Sequence, residues 1–408
     1  MTINLVLFLL SMLAISLAVE PLAERLRLPF STALVIVGFV GSEVVVGVGW
    51  DTGVRWELFD NLILFVLLPI LIFEASLHIK IRELVSGLVP ILFLAVPILL
   101  ISTAICAFLL YWAIGDSIGF PWLAALFTGA ILSATDPMAV LVLFKKMGAP
   151  KRLALLVDGE SLFNDATAIV VAMLVITMAT SANQVFSVGS AVSDFLIILF
   201  GGAIAGMIAG LAALVLMRIA AGGLQRTAVS LILAYGAYIC CEVILNVSGV
   251  LAAMFAGLTI SWNMQTHANE NTKPVYIVWA QFAYLANSLV FLLLGVTITT
   301  SMFELQWLPM LYGIGAAIVA RWLSVYLAVP VCGFFPGVEA VPAEYCPVMF
   351  WGGLRGAVTI ALALSIPLEV EWWFTAQSIA YGVVLFSLFV QAPTMPAMLR
   401  HLKLVNHR

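Results

Sequence analysis

Apolar runs of about 17–25 residues, long enough to cross a ~30 Å hydrocarbon core, recur along the chain with little between them. About thirteen are predicted, over 3–19, 31–49, 58–76, 86–113, 121–144, 158–180, 193–217, 227–247, 249–263, 275–300, 307–330, 346–366 and 373–398. Helices are expected throughout, because a chain surrounded by lipid must satisfy its backbone groups within each segment. Little sequence remains for a soluble domain. The first run lacks a positively charged start and a small-residue cleavage site, so it is expected to be retained as a helix.

Against this background each polar position asks for an explanation. An ionisable side chain at membrane depth costs roughly 2.5–3.5 kcal/mol on insertion scales and marks a functional site by default. The densest set is Asp158-Gly-Glu-Ser-Leu-Phe-Asn-Asp-Ala-Thr167. On a helix Glu160 and Asn164 share one face, and Ser161 and Asp165 another. Asp165 then lies two turns deeper than Asp158, near mid-membrane. A second set is Ser133-Ala-Thr-Asp-Pro137. Pro137 has no N–H and disfavours helix at the residue before it, so the helix should open near Thr135 and Asp136. Open backbone at this depth must be buried in protein or line a wet cavity. Asp136 and Thr135 can cap the second half-helix and can also serve an ion.

Other intramembrane charges are scattered. Glu74 follows the helix-distorting Pro69 and fits either the inner membrane edge or an ion path. Arg355 sits among glycines in Trp351-Gly-Gly-Leu-Arg-Gly356 and needs a carboxylate or free carbonyls; Glu160 is the expected partner. Glu242 reads as a second buried acid or the partner of an intramembrane arginine. Arg321 is a secondary candidate, and either arginine could snorkel to an interface.

With 64% apolar and 9% charged residues, composition leaves lipid as the main solvent. The net charge of −4 gives no reason to expect nucleic acid. The 5 cysteines and 4 histidines form no ligand pattern, so haem and zinc are not expected and no cofactor is. The basic residues set the orientation. With the N-terminus outside and thirteen crossings, 14 of the 17 Lys and Arg fall in inner loops or the C-terminal tail. Arg55 alone lies outside, and Arg321 and Arg355 lie within spans. The C-terminus is therefore expected in the cytoplasm.

If the seventh span is a linker (193–218), six spans lie on either side, in 1–182 and 226–400. The Pro-interrupted and Gly-interrupted spans are each the fifth of their six, and the two sixes start on opposite sides. Matched broken segments in inverted halves point to a secondary transporter's binding site. No Walker-type Gly-Lys loop occurs, which argues against ATP as the energy source.

Leu68-Pro-Ile-Leu-Ile-Phe-Glu-Ala75, Ala134-Thr-Asp-Pro137, Gly159-Glu-Ser-Leu-Phe-Asn-Asp-Ala-Thr167 and Trp351-Gly-Gly-Leu-Arg-Gly356 resemble the signature stretches of monovalent cation/proton antiporters of the NhaP/NHE type. The resemblance runs from Leu5 to about Met398. It implies an all-α polytopic membrane protein of thirteen helices, two inverted six-helix repeats, crossed unwound helices and a homodimer. It places the ion site on Asp165 and Asp136, with Thr135 and Ser161 as supporting oxygens and Glu74 toward the cytoplasmic approach. It also implies a Glu160–Arg355 ion pair oriented by Asn164. Spans one to three and eight to ten would face the dimer, and the others would form a moving core. Many relatives carry a long cytoplasmic tail; here the chain stops about ten residues after the last span, so tail-mediated regulation is not expected.

The expected activity is exchange of Na⁺, with Li⁺ or K⁺ as alternatives, for H⁺ by competition for Asp165, and no enzymatic reaction. Burial disfavours a charged carboxylate, and protonation removes the charge that holds the cation. Asn164 before Asp165 resembles the electroneutral members, hence one H⁺ per Na⁺. A cation channel or another ion-coupled transporter could use the same acids, but a channel normally rings its pore with ligands. A prokaryotic inner membrane is the expected location.

Overall fold

The computed structural model describes residues 2–26, 28–49, 61–115, 119–180, 188–220, 222–267, 272–333 and 340–404. Arg27, Arg55, Arg408 and the first residues of the predicted 58–76 span lie outside these. Among the described residues there is helix and no strand. In chain order, apart from the short helix Ile81–Ser86 that joins α3 to α4, the helices are α1 (Thr2–Leu26), α2 (Phe30–Gly47), α3 (Ile63–His78), α4 (Leu88–Ile114), α5 (Trp122–Ser133), α6 (Met138–Met147), α7 (Lys151–Thr180) and α8 (Val188–Ile219). Then follow α9 (Gly223–Ile244), α10 (Gly249–Thr266), α11 (Lys273–Thr297), α12 (Thr300–Cys332), α13 (Cys346–Trp351), α14 (Ala357–Leu364) and α15 (Trp373–His401).

Among the described residues ten helical segments, with α5 and α6 counted as one, are long and apolar enough to cross a membrane. The other three predicted spans are helical but differ from the expected pattern. α3 is shorter, α10 is an 18-residue helix with most of its side chains buried, and α13 and α14 are two short pieces around a break. Proline accounts for several local irregularities. π-helical turns occur at Ile63–Leu67, just before Pro69, at Leu94–Ile98 around Pro97, and at Ser387–Gln391, just before Pro393. A proline cannot donate to the preceding turn, so the ladder widens there.

The helices pack as two groups. α1, α2, α3, α9, α10 and α11 contact mainly one another, and α8 lies on α10. α4, α5, α7, α12, α14 and α15 form the second group. Few contacts bridge them, between α11 and α14 and between α7 and the helices α3, α8 and α10. The first group is locked where α2 meets α11. A Cβ on Gly38 would stand 2.6 Å from the Leu292 carbonyl, and one on Gly295 would stand 2.9 Å from the Gly38 Cα. Without water, helices associate by this kind of close packing.

Enlarging Gly295 to valine should therefore force α2 and α11 apart. The expected loss is about 1–3 kcal/mol, read as a lower melting temperature of the detergent-solubilised protein. Gly41→Ala on α2, one turn from Gly38, is the control: its Cβ would meet nothing within 4 Å, and its melting temperature should match the parent's.

Candidate ion-binding site

Two helices break at the centre of the second group. α5 ends at Ser133 and α6 begins at Met138, so the chain opens where Pro137 requires it. α13 ends at Trp351 and α14 begins at Ala357, with Gly352, Gly353 and Gly356 in the gap. One hydrogen bond joins the two open stretches: the Asp136 N–H donates to the Leu354 carbonyl at 2.8 Å. Gly356 abuts the Asp136 carboxylate so closely that a Cβ there would collide with it.

Asp136 thus sits where α6 and α14 both start. Its Oδ1 accepts from the Met138 N–H at 3.0 Å, and the positive ends of two helices favour a negative charge. From α7, Ser161 donates to the Thr135 carbonyl at 2.6 Å. The Asn164 amide nitrogen is 3.3 Å from the Thr135 hydroxyl. These bonds tie α7 to the first break. Asp165 follows one turn beyond Ser161, and its Oδ1 is buried with no hydrogen-bond partner among the described residues. Such an oxygen calls for a proton or a cation.

Asp136, Ser161 and Asp165 line one cleft together with Glu74, Asp158, Asn287 and the apolar Leu71, Ile72 and Met138. It gives water about 80 Å³ of room, enough for a cation with part of its hydration shell. Glu74 lies toward the mouth, with its carboxylate 3.0 Å from His78 Nδ1. The structure therefore brings Asp165, Asp136, Ser161 and Glu74 to one cavity, with Thr135 held directly behind.

Asp158 and Asn287 were not singled out as site residues from the sequence. Asp158 could have been, since residues 158, 161, 162 and 165 fall on one helical face. Asn287 offers only a lone amide in an apolar run, a weak signal.

The charged pair differs from expectation. Glu160, 2% exposed, is held by both terminal nitrogens of Arg321, with Nη2 to Oε2 at 3.1 Å and Nη1 on Oε1. Arg321 also donates to the Met349 carbonyl at the end of α13. Arg355, the expected partner of Glu160, donates instead to the Gly353 carbonyl, and its backbone N–H reaches Ser387. The reason is reach: α12 brings a long side chain to Glu160, while the glycine-rich break gives Arg355 a carbonyl within two residues. Neither arginine snorkels; both are buried. Asn164 orients Thr135 and makes no hydrogen bond to the ion pair. Glu242 is no partner of an arginine among the described residues either. It accepts the Gly249 N–H at 2.8 Å and so caps the start of α10, away from the cleft.

A family model described as the transmembrane part of sodium/hydrogen exchangers matches residues 9–401. The chain is 33% identical to the Na(+)/H(+) antiporter ApNhaP of Aphanothece halophytica, over 99% of this chain and 76% of that protein. It is 30% identical to the Na(+)/H(+) antiporter NhaH of Halobacillus dabanensis, over 97% of this chain and 98% of that protein. In three dimensions it is similar to the sodium proton antiporter MjNhaP1 of Methanocaldococcus jannaschii. The TM-score is 0.80 at 18% identity, covering 97% of this chain and 98% of the other.

Removing one member of a buried ion pair leaves the other charged and unpaired, at about 3–5 kcal/mol. Glu160→Gln and Arg321→Met should each lower the melting temperature markedly, and the double variant should recover much of the loss. A Glu160–Arg355 cycle should show the smaller coupling. Equal couplings in the two cycles would contradict the observed pairing.

Proposed function

Because the chain belongs to the sodium/hydrogen exchanger family, we propose that it is a secondary antiporter that exchanges Na⁺ for H⁺ across the membrane. The observation that carries this is the cleft itself. Two carboxylates, Asp165 and Asp136, stand in one water-sized cavity at the crossing of two broken helices. A monovalent cation there can draw on both, on the Ser161 hydroxyl and on the second lone pair of the Thr135 carbonyl. Water completes the shell.

The exchange follows from competition for Asp165. A proton on its unpartnered oxygen cancels the charge that holds the cation, so the two ligands exclude each other. If only occupied forms cross, the two gradients are coupled. Asp136 adds charge without the same freedom, because Met138 already occupies one of its oxygens. Glu74 and Asp158 place further negative charge at the approach and raise the local cation concentration. Glu160, Arg321, Asn164 and Arg355 hold the two breaks in place and do not touch the ion. Glu242 has a capping role only.

The finer reading is one H⁺ per Na⁺, with Li⁺ or K⁺ as alternative cargo. We take the protein as a homodimer in a prokaryotic inner membrane, N-terminus outside and C-terminus in the cytoplasm. The thirteen segments, in two inverted sets of six (1–182 and 226–400) joined by the 193–218 helix, would each cross. The group carrying Asp136 and Asp165 would move, and the group around α2 and α11 would stay. Support comes from the unequal distribution of Lys and Arg and from the sparse contacts between the groups.

The test is a Na⁺ pulse on proteoliposomes holding a pH dye, with the membrane potential clamped. Wild-type protein should move H⁺ against Na⁺ under the clamp, and its apparent KM for Na⁺ should rise as pH falls. Asp165→Asn should insert normally and abolish exchange. Wild-type exchange in that variant would remove Asp165 from the mechanism, and a transport current driven by potential alone would refute one-for-one exchange.

A further inference from the structure

The cleft has two walls of different origin. Asp136, Asp158, Ser161 and Asp165 come from the second helix group, whereas Glu74 on α3 and Asn287 on α11 come from the first. Glu74 is already engaged by His78. Asn287 makes no hydrogen bond among the described residues, and its amide is not shut away from the cavity. The rest of that stretch of α11 is committed elsewhere. Ser288 donates back to the Tyr284 carbonyl at 2.7 Å, and Leu289 to Gly295 are buried apolar residues. An amide in an apolar run, unpaired and turned to a carboxylate-lined cavity, costs free energy unless something there uses it.

We propose that Asn287 supplies a neutral carbonyl oxygen to the bound cation in the cleft-open state only, and so sets cation affinity on one side of the membrane. This rests on the antiport reading. A monovalent cation losing its hydration shell needs oxygens, and a side-chain amide offers one without adding charge. α11 is fixed to α2 by the Gly38–Gly295 contact two turns further along, and it touches the second group chiefly through α14. When the helices bearing Asp136 and Asp165 shift relative to α11, Asn287 stays behind. The ion then travels with Asp136, Asp165, Ser161 and Thr135, and reaches the far side one ligand short. Asn287 therefore acts on loading from the side bearing Glu74, His78 and Asp158, and makes the affinities at the two faces unequal.

The experiment compares Na⁺-driven H⁺ movement in sealed vesicles of both orientations, assigned by protease access to Lys145, Lys146, Lys151 and Arg152 around the turn between α6 and α7. Asn287→Ala should raise the KM for Na⁺ from the cleft side about three- to tenfold, the size of one lost polar contact, while the far-side KM moves less than about twofold. Asn287→Asp keeps an oxygen and adds charge, so its cleft-side KM should lie at or below the parent's. Equal shifts on both sides, no shift on the cleft side, or an aspartate variant as weak as the alanine one would each overturn the proposal. Na⁺-dependent thermal stabilisation of the solubilised protein separates the two readings. If wild-type vesicles show no exchange, the antiport reading fails. Weaker stabilisation of Asn287→Ala by Na⁺ would still support the ligand role, and unchanged stabilisation would overturn it.

Discussion

Peptide groups released from a helix inside a membrane have no water to bond, and this protein releases them twice. The solution is to cross the two breaks, so that the Asp136 N–H finds the Leu354 carbonyl and Gly356 lies against the Asp136 carboxylate. Much else follows from that crossing. It turns the starts of α6 and α14 toward one point, which can then carry acids. It requires glycine at 356, since any side chain would occupy the space of the carboxylate. It also needs fastening from outside, and Ser161 and Asn164 on α7 provide it through Thr135.

The charges divide by role according to what they touch. Glu160 and Asp165 are less than two turns apart on α7, yet one is closed in a bidentate pair with Arg321, and the other lines the cleft with a buried Oδ1 that has no hydrogen-bond partner among the described residues. A buried pair of this kind contributes little net stability compared with an apolar substitute but strongly penalises arrangements in which it is broken. Here it joins α7 to α12 and, through the Met349 carbonyl, to the end of α13. Three helices around the crossing are thus fixed in register. Asp136 and Asp165 stay out of ion pairs among the described residues, while other charges hold the frame.

Much of this was legible in the chain. The breaks were visible in Pro137 and in the glycines around Arg355, because those residues act on their own backbone. The candidate acids stood out because lipid leaves few reasons for a carboxylate. What remained hidden depended on distance between helices. Which arginine meets Glu160 is decided by how α12 lies against α7, and nothing in the residues near 321 or 355 encodes it. Glu242 misled for a similar reason: its partner is a backbone N–H seven residues on, exposed by the start of α10. Asn287 was illegible because a single amide in an apolar helix gains meaning only from what stands opposite.

Among the described residues, the cleft reaches Asp165 from the side that carries Glu74 and Asp158. Beyond it α7 continues through Ala166, Ala168, Ile169, Val170 and Ala172, all buried, so water stops at the site. A conducting column on one side and dry protein on the other concentrate the transmembrane electric field across the dry half. Ions arriving from the wet side then cross little of the voltage drop, and their binding is nearly insensitive to potential. Any net charge carried through the dry half would feel almost all of it. Under one-for-one exchange no net charge would cross the dry half, and both occupancy from the open face and translocation would be left to concentration alone.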